Sequence, residues 1–439
     1  MSTVALQEFV KQALLEKLES LAASLPQSLD DLAAAEQVVR SGVLELGREL
    51  LQQWSAVATA QVSAPVCEAC EEAMRHKGYA TGPLVTTLGD LRVRRARFRC
   101  EHCGAECYPH DARLRFRGHA VSWPLAKVIG RLGAQLPFAQ ACESLRVDYG
   151  VKLSKHTVET ICEHAGAALL DAEDARRSHL QSLPVDQRSG ALPDSELSPE
   201  KAYVFGDGAM IHTGGDWHEI RVASVAATDA ADTPLAVDHR ARFLSCEDFG
   251  WQLLLLSRGV GFHRAKLKAF IADGARWLWD VAATQFPDAV QILDWYHLSE
   301  HVHQTAAAVY GEGVAAAKEF SRQRLEELWE GRVNETLRAL GALHKSLRAV
   351  GKREALRKFI GYLNNNRERI DYPRYRAQGL KVGSGQVESA CKTLVGQRCK
   401  QAGMRNWTRR GAEGVLRLRA ALQTGQFDRL WDAPCKTAA

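Results

Sequence analysis

The sequence has no long apolar segment. None of its apolar runs approaches the roughly 20 residues that a membrane-spanning helix needs, and its first residues lack the basic region and apolar core of a secretion signal. Internal repeats are also missing, which argues against a solenoid or a propeller. We therefore expect a cytoplasmic protein without a membrane partner.

The lack of a secretion signal also bears on the eleven cysteines. Because the cytosol keeps thiols reduced, a disulfide scaffold is not expected, and metal binding becomes the question. Four cysteines form two Cys-x-x-Cys pairs, and Cys107 lies close enough to compete as a ligand. We interpret the other six as small core or surface residues: Cys142, Cys162, Cys246, Cys391, Cys399 and Cys435.

Length and composition indicate several ordinary globular domains. With 439 residues the chain is too long for one compact core, and 46% hydrophobic with 25% charged residues is typical of folded proteins. The net charge of +5 is unevenly distributed, since the segment from Lys345 to Arg429 carries 20 basic and 6 acidic residues. This excess of +14 favours a polyanionic partner, although a solvated helical face would give the same composition.

The N-terminal segment has helical periodicity. Pro26 separates two stretches with apolar residues at Leu6, Val10, Leu14, Leu18 and Leu21, and then at Leu32, Val39, Leu46 and Leu50. These helices could pair with another subunit or pack on the body of the protein, and the sequence does not decide between the two.

Two cysteine knuckles flank a strand-like run from Leu91 to Phe98. Cys67, Cys70, Cys100 and Cys103 can supply four thiolates to a tetrahedral Zn²⁺, and a hairpin between the knuckles would bring them together. Within this predicted zinc ribbon, five arginines crowd one strand and are candidate phosphate contacts: Arg92, Arg94, Arg95, Arg97 and Arg99. Strand alternation places Arg95, Arg97 and Arg99 on one face.

A second DNA-binding element is predicted after the ribbon. Helical pattern resumes near Trp123, and two short helices around the turn Tyr149-Gly150 have the spacing of a helix-turn-helix or of any small helical bundle. Residues 183–200 lack periodicity and collect Pro, Ser, Gly and Asp, so we predict a linker there.

Three apolar runs beyond this linker each end in an acid, at Asp207, Asp273 and Asp294. Further strands are predicted at 217–226 and 234–243, and an amphipathic helix from Arg276 to Gln285, so the domain is a mixed α/β sheet. Carboxylates at the carboxyl ends of strands converge on the ligand crevice, where they could share metal ions for phosphodiester chemistry. Helical pattern follows from Leu298 to Ile370.

The sequence around these acids resembles bacterial insertion-sequence transposases of the ISKra type, in the Mutator-like superfamily. The resemblance spans about Lys201 to Ala421 and rests on four segments: 205–208 (FGDG), 271–279 (IADGARWLW), 292–297 (ILDWYH) and 383–389 (GSGQVES). It implies an RNase H-like catalytic core with an all-α insertion, in which Asp207, Asp273 and Glu388 hold two Mg²⁺ (or Mn²⁺) ions. Asp294 and His297 match a supporting Asp-x-x-His signature.

The function implied by the resemblance is DDE transposition. Such a protein binds the ends of its own insertion sequence, cleaves DNA and joins it to target DNA, acts as a homo-oligomer in the DNA complex and is associated with the bacterial nucleoid. We expect N-terminal helices (1–60), a zinc ribbon (61–112), a helical DNA-binding region (113–182), the linker (183–200), a core (201–300), an insertion (301–375), core helices with Glu388 (376–425) and a tail (426–439).

Glu388 also fits this role from its local pattern. On its helix Val387, Cys391, Leu394 and Val395 form an apolar stripe, and Glu388 lies at the margin of that stripe, where it can reach inward. A carboxylate in a first helical turn also stabilises the helix without any catalytic role. Basic residues that follow this helix are candidate DNA contacts: Lys392, Arg398, Lys400, Arg405, Arg409 and Arg410.

Two other functions remain open at this stage. His297, Glu300 and His301 match the H-x-x-E-H signature of inverted zinc peptidases, although this motif explains neither the cysteine knuckles nor the basic C-terminal part. A catalytically inactive zinc-ribbon DNA-binding protein is the third alternative.

Overall fold

The structure is a computed structural model that describes residues 11, 15–26, 28–58, 63–402, 404 and 406–431. The chain divides into two compact units. The first comprises Met1–Ala165 and Asp428–Ala439, and the second comprises Gly166–Phe427. The predicted apolar positions Leu6, Val10 and Leu14, together with Cys435, Arg405 and the end of the predicted tail, lie outside the described residues.

The first unit contains helices and one small antiparallel sheet. Residues 15–23 are helical, and Pro26 lies between them and the next helix, as predicted. The strands pair in the order β1-β2-β3. Their bounds are β1 Arg75–Thr86, β2 Gly89–Arg99 and β3 Glu106–Cys107, and the helices beyond residue 31 that have at least twelve residues are α1 Leu32–Ala58, α2 Trp123–Gln135, α3 Phe138–Tyr149 and α4 Lys155–Ser182.

The two faces of the β1–β2 hairpin are buried at different positions along the strands. Thr86 closes the turn, because its hydroxyl donates to the Gly89 carbonyl and accepts from the Leu88 N–H. Leu91 and Val93 pack with Leu84 on one side. Further along β2, Ala96 and Phe98 face the opposite side and pack against the cysteines. The strand predicted at Leu91 to Phe98 is confirmed.

Helices α2 and α3 begin and end at local signals in the sequence. The Ser122 hydroxyl accepts from the Leu125 N–H at the start of α2, and α3 ends at Gly150, whose φ of 64° is in the left-handed region that glycine favours. The expectation of two short helices around this turn is only half right. Helix α4 runs for 28 residues, because its periodicity continues beyond Ile161, and the division between the units falls within it.

The second unit is built on a five-stranded mixed sheet of order β6-β5-β4-β7-β8. Strands β4 and β5, and β5 and β6, pair antiparallel, whereas β4 and β7, and β7 and β8, pair parallel. The strands are β4 Lys201–Thr213, β5 Asp216–Thr228, β6 Pro234–Arg242, β7 Leu267–Ala272 and β8 Val290–Leu293. All five predicted strands are therefore confirmed, and the mixed α/β class with them.

One prediction about this sheet is wrong. Asp207 does not end its strand, since β4 continues to Thr213 and Asp207 pairs with Val222 of β5. The parallel pairing with β7 ends at Phe205 and Ile271. Beyond these residues β4 pairs with β5 along one edge, and its other edge is open. The antiparallel hairpin then continues for eight residues of β4, which the apolar pattern of 202–206 did not indicate.

Helices cover and extend the sheet. The predicted helix from Arg276 to Gln285 is confirmed, as is the helical segment from Leu298 to Ile370. The helices of this unit beyond α4 are α5 Val185–Ala191, α6 Cys246–Gly259, α7 Arg276–Gln285, α8 Trp295–Tyr310, α9 Ala315–Trp329, α10 Val333–Ser346, α11 Val350–Asn365, α12 Tyr372–Ala377, α13 Gly385–Ala390 and α14 Arg409–Gln423. Within the part of the chain that the structure describes, every helix is too short or too polar to cross a lipid bilayer.

One prediction about these helices needs correction. The predicted linker 183–200 contains helix α5, which begins after Pro184, because a proline is compatible with a helix start. Within the predicted core helices 376–425, α14 follows the helix that carries Glu388. Eleven consecutive residues of α14 are buried, so it is a core helix despite its basic sequence.

Close backbone contact and buried ion pairs hold α14 in place. A Cβ on Gly166 of α4 would lie 2.1 Å from the carbonyl oxygen of Gly414, so only glycine permits this crossing. Next to it, Glu173 of α4 accepts from Arg240 of β6 at 2.9 Å and from Arg417 of α14 at 2.7 Å. Burial alone would raise the pKa of Glu173, but the two guanidinium groups outweigh it and hold that pKa at about 2.

Stability should therefore fall in acid. The folded-state pKa of Glu173 lies below its ordinary value of 4.5, so its contribution is complete above about pH 4.5 and is lost as the pH falls towards 2. We expect Glu173→Gln to lower the free energy of unfolding at pH 7 by roughly 3 kcal/mol, because buried Arg417 loses its ion pair with Glu173 and buried Arg240 keeps only its pair with Asp238. The difference from wild type should shrink in acid.

Urea unfolding at pH 7 and pH 3 measures this effect. Glu319→Gln is the matched control, because Glu319 has a pKa of about 2 beside Arg322 but lies at the surface, where an ion pair contributes little. Equal effects of the two substitutions at pH 7 would contradict the stabilising role of the buried network.

Candidate functional site

The first candidate site is the pair of cysteine knuckles in the first unit. Hairpin β1–β2 brings them together, and the sulfurs of Cys67, Cys70, Cys100 and Cys103 all lie within 4.8 Å of one another. The two knuckles have the same backbone turn. The Glu71 N–H donates to the Cys67 carbonyl, and the Gly104 N–H donates to the Cys100 carbonyl. Both turns pass through positive φ, at 58° and 75°.

This cluster fits a tetrahedral Zn²⁺. The Cys67 and Cys103 sulfurs are 3.5 Å apart and the Cys70 and Cys100 sulfurs 3.4 Å, close to the ~3.8 Å edge of a tetrahedron with Zn–S bonds of ~2.3 Å. Backbone N–H groups also favour thiolates here. A hydrogen bond from Cys103 is the largest influence that lowers the pKa of Cys100, to about 6, and one from Ala69 lowers the pKa of Cys67.

Cys107 lies outside this cluster. Its thiol contacts the sulfur of Met74 at 3.5 Å, and burial raises its pKa. The four cysteines of the two knuckles are thus the ligand set that the structure offers. The sequence alone did not exclude Cys107 as a ligand in place of one of them.

Zinc analysis of the purified protein should find about one zinc per chain. Cys67→Ser and Cys100→Ser should each lower the zinc content well below one and destabilise the ribbon, because so small a core depends on its metal for folding. Cys107→Ser is the matched control and should retain zinc. Unchanged zinc in both knuckle variants would exclude this ligand set.

Some of the arginines predicted to contact phosphate in the ribbon already have partners. Arg95 forms an ion pair with Asp111 at 2.5 Å and stacks over Tyr108, and only 12% of its side chain is exposed. Arg97 is 3.4 Å from Glu106. Arg92, Arg94 and Arg99 are exposed. The expected phosphate-binding face therefore excludes Arg95, because a nearby acid neutralises it.

The second candidate site is a cleft in the second unit at the edge between β4, β7 and β8. Its volume is about 380 Å³. The structure brings together in it the five residues predicted for the triad and its supporting signature: Asp207, Asp273, Asp294, His297 and Glu388. These residues come from segments that lie far apart in the sequence.

Asp207 is a partly buried carboxylate of the cleft. Its side chain accepts from its neighbour's N–H, that of Gly208, at 2.7 Å and from the Cys391 thiol at 3.3 Å. Burial raises the pKa of Asp207, these two donors oppose the rise, and the negative charge of Asp273 adds to it. A positive ion in the cleft would offset this cost.

Asp273 is held by the turn that follows β7. Its carboxylate accepts from the Ala275 N–H at 2.9 Å, and Gly274 between them has a φ of 101°. The Tyr362 hydroxyl of α11 donates to the Asp273 carbonyl at 2.8 Å. The helical segment therefore contributes directly to the position of this acid.

Asp294 connects two elements and is almost fully buried. It caps α8 by accepting from the N–H groups of Tyr296 and His297, both at 3.2 Å. It also accepts from the N–H and the hydroxyl of Ser384, at 2.9 and 2.6 Å. Four donors thus satisfy its oxygens, so Asp294 positions the loop before the Glu388 helix rather than presenting a free ligand to the cleft.

Glu388 projects from a helix whose geometry changes within a few residues. Helix α13 continues into a π-helix, Cys391–Gly396, and such widened turns are frequent at functional sites. Gln386 fixes the start of α13 by donating to the Ser224 hydroxyl at 3.1 Å. Lys392 approaches the Glu388 carboxylate to 3.7 Å and is exposed.

Three contributors to this cleft were not predicted from the sequence. Cys391 was assigned to the apolar stripe, yet its thiol reaches Asp207. Ser384 lies in the segment 383–389 (GSGQVES), and its position between two glycines was the available signal. Tyr362 had no local signal, because its contact with Asp273 spans 89 residues.

The three carboxylates line the cleft without forming a compact ligand cluster. Among the described residues, only the four cysteines bring three or more ligand atoms within 4.8 Å of one another. The described residues of the H-x-x-E-H motif do not form such a ligand cluster either. Glu300 has 62% of its side chain exposed, 3.9 Å from His297, and His301 packs against the ring of Tyr362 at 4.3 Å.

The basic residues near the C-terminus divide into internal and surface groups. The guanidinium of Arg398 is buried over the ring of Trp407 at 4.8 Å, so the predicted phosphate contact does not hold for it. Arg410 pairs with Asp171 and Asp174. Lys392, Lys400 and Arg409 are exposed, so only part of the +14 excess faces solvent.

The chain matches no protein-family model and no curated protein.

The role of Asp294 as a connector can be measured through stability. We expect Asp294→Ala to lower the free energy of unfolding by about 2 to 3 kcal/mol, because it removes a helix cap and leaves buried donors without an acceptor. Ser384→Ala should cost about 1 kcal/mol, the usual contribution of one hydrogen bond. Asp280→Ala, an exposed acid on α7, is the control in urea unfolding. Wild-type stability in Asp294→Ala would remove the connecting role.

Proposed function

We propose that the protein is a metal-dependent DNA transposase of the DDE type, in which Asp207, Asp273 and Glu388 form the catalytic triad. One observation carries the proposal. Three acids that the sequence singled out, from three separate segments, line one cleft of about 380 Å³. Convergence of carboxylates at a sheet edge is the arrangement that two-metal phosphodiester chemistry requires.

The architecture is compatible with the RNase H-like core that the resemblance to ISKra-type transposases implies. The sheet is mixed and five-stranded, with an antiparallel β6-β5-β4 portion followed by the parallel strands β7 and β8. A helical segment separates β8 from the Glu388 helix, as an all-α insertion would. We assign residues 301–375 to this insertion.

The donor set suits Mg²⁺ or Mn²⁺, which prefer carboxylate oxygens together with water and phosphate oxygens. Asp207, Asp273 and Glu388 would hold the ions. Bound ions would supply Lewis-acid stabilisation of the phosphodiester and activation of the attacking oxygen. Since Asp207 is buried beside the charge of Asp273, divalent cations would also relieve the repulsion between the two acids.

The other residues of the cleft orient this triad. Asp294 and Ser384 fix the start of the Glu388 helix, and Tyr362 fixes the turn that carries Asp273. Exposed Lys392, Lys400 and Arg409 provide positive charge for the DNA backbone. The four-cysteine knuckles and the exposed arginines of β2 supply a separate DNA-binding module.

The peptidase alternative has less support. It needs two imidazoles and a third ligand around one zinc ion, but the ring of His301 is packed against Tyr362 and Glu300 points towards solvent. The motif is therefore better explained as one turn of α8 that happens to border the cleft.

Substitution of the triad tests the proposal. Asp207→Asn, Asp273→Asn and Glu388→Gln should each reduce Mg²⁺-dependent cleavage at least about a hundredfold, because each keeps the side-chain shape and removes a ligand charge. Binding of the same DNA should persist. The substrate is DNA that carries the inverted repeats flanking the coding sequence. Asp294 and His297 substitutions should cost less activity.

Glu300→Gln is the matched control, since Glu300 lines the same cleft and has no role in the proposed chemistry. Its cleavage rate should stay within a few-fold of wild type. Full cleavage by Asp273→Asn would reject the triad, and loss of DNA cleavage only on changing Glu300 would move the chemistry from the triad to the H-x-x-E-H motif. Specific binding by a wild-type protein that never cleaves would indicate an inactive DNA-binding protein.

A further inference from the structure

Helix α1 of the first unit has two sides that are covered by its own chain. On one side Gly42 lies against Leu21, whose Cδ1 would be 2.4 Å from an added Cβ, and Lys17 pairs with Glu45 and Glu49 at 3.1 and 2.5 Å. On another side Leu51 packs onto the β1–β2 hairpin. These contacts fix the orientation of α1 within its unit.

The remaining side of α1 carries a stripe of exposed large apolar residues. At about 100° per residue, their positions fall within an arc of roughly 60° along about 33 Å of helix. The stripe consists of Leu32, Val39, Val43, Leu50 and Trp54, which are 65%, 41%, 54%, 37% and 55% exposed. Soluble proteins rarely leave so long a continuous apolar surface in water.

The spacing of the stripe specifies a helical partner. Its intervals of seven, four, seven and four residues place Leu32 and Val39 at one core position of a heptad and Val43 and Leu50 at the other. Trp54 flanks the last turn. A heptad stripe packs best against another helix with the same repeat, since side chains of one helix fill the gaps of the other.

We propose that this stripe is a dimer interface at which α1 pairs with α1 of a second copy of the chain, antiparallel about a two-fold axis at Ser41. The four heptad residues are symmetric about that position, because Val39 and Val43 each lie two positions from it and Leu32 and Leu50 each lie nine positions from it. The antiparallel arrangement places Val39 opposite Val43 and Leu32 opposite Leu50 of the second copy, as a self-complementary interface requires.

A charged residue selects the antiparallel orientation. Glu36 lies within the arc of the stripe and is exposed. In a parallel, in-register pair each Glu36 would face its own copy, and like charges there repel. In the antiparallel pair Glu36 lies opposite Leu46 of the second copy instead. The sequence leaves open whether these helices pair with another subunit, and the exposed stripe favours pairing.

Sedimentation equilibrium of the full-length protein measures the dimer, independently of any activity on DNA. The wild type should show twice the chain mass of 48.4 kDa. Val43→Lys should reduce the mass to that of one chain, since two lysines would enter the apolar interface close to the axis. Val350→Lys is the matched control, because Val350 of α11 is 82% exposed and lies outside the stripe, and this variant should remain dimeric. Circular dichroism and zinc content should match wild type in both variants.

Leu46→Lys tests the orientation, because Leu46 lies opposite Glu36 of the second copy only in the antiparallel pair. In the antiparallel dimer the new lysine lies opposite Glu36 and the dimer persists, with an affinity that falls as salt is raised. In a parallel dimer it would face its own copy and the dimer would dissociate. A monomeric wild type would mean that another part of the protein covers the stripe, and would overturn the proposal, as would a Val43→Lys protein that stays dimeric.

Discussion

The carboxylate of Asp294 is the constraint on which the cleft depends. It is almost completely buried, and it remains acceptable there because four donors from two segments satisfy its two oxygens. It joins the start of α8 to the loop before α13, beside the hydrogen bond that the Trp295 N–H donates to the Val382 carbonyl at 3.0 Å. The distance between the Asp273 turn and the Glu388 helix therefore depends on hydrogen bonds to Asp294. This residue itself presents no free ligand atom to the cleft.

A buried ionic network has a similar role on another side of the second unit. Glu173, Arg240 and Arg417 come from α4, β6 and α14, and each would be costly to bury alone. Together with the contact between Gly166 and Gly414 they fix α14 against the sheet. Charges that look like a DNA-binding surface in the sequence are thus partly internal, because a charge count does not distinguish a paired arginine from a free one.

The parts of the fold that sequence patterns predicted are those set by local periodicity. Apolar runs located all five strands of the large sheet, and Arg276–Gln285 was predicted to the residue because its apolar face repeats at helical spacing. The paired spacing of Cys67 and Cys70 likewise specified the knuckles. What could not be predicted depends on partners distant in the chain. Asp207 lies in mid-strand because β5 continues to pair with β4, and Tyr362 reaches Asp273 across 89 residues.

The long helical segment between β8 and α13 has a consequence for how the protein is made. Cys391 and Asp207 are in contact although 184 residues separate them, and all of the helices from α8 to α12 emerge from the ribosome between the two. The sheet can pair soon after synthesis of its strands, since its connections are short, whereas closure of the cleft must wait for the last core helices. A nascent chain therefore carries a folded sheet with an incomplete set of carboxylates, and it gains the complete set only near the end of translation.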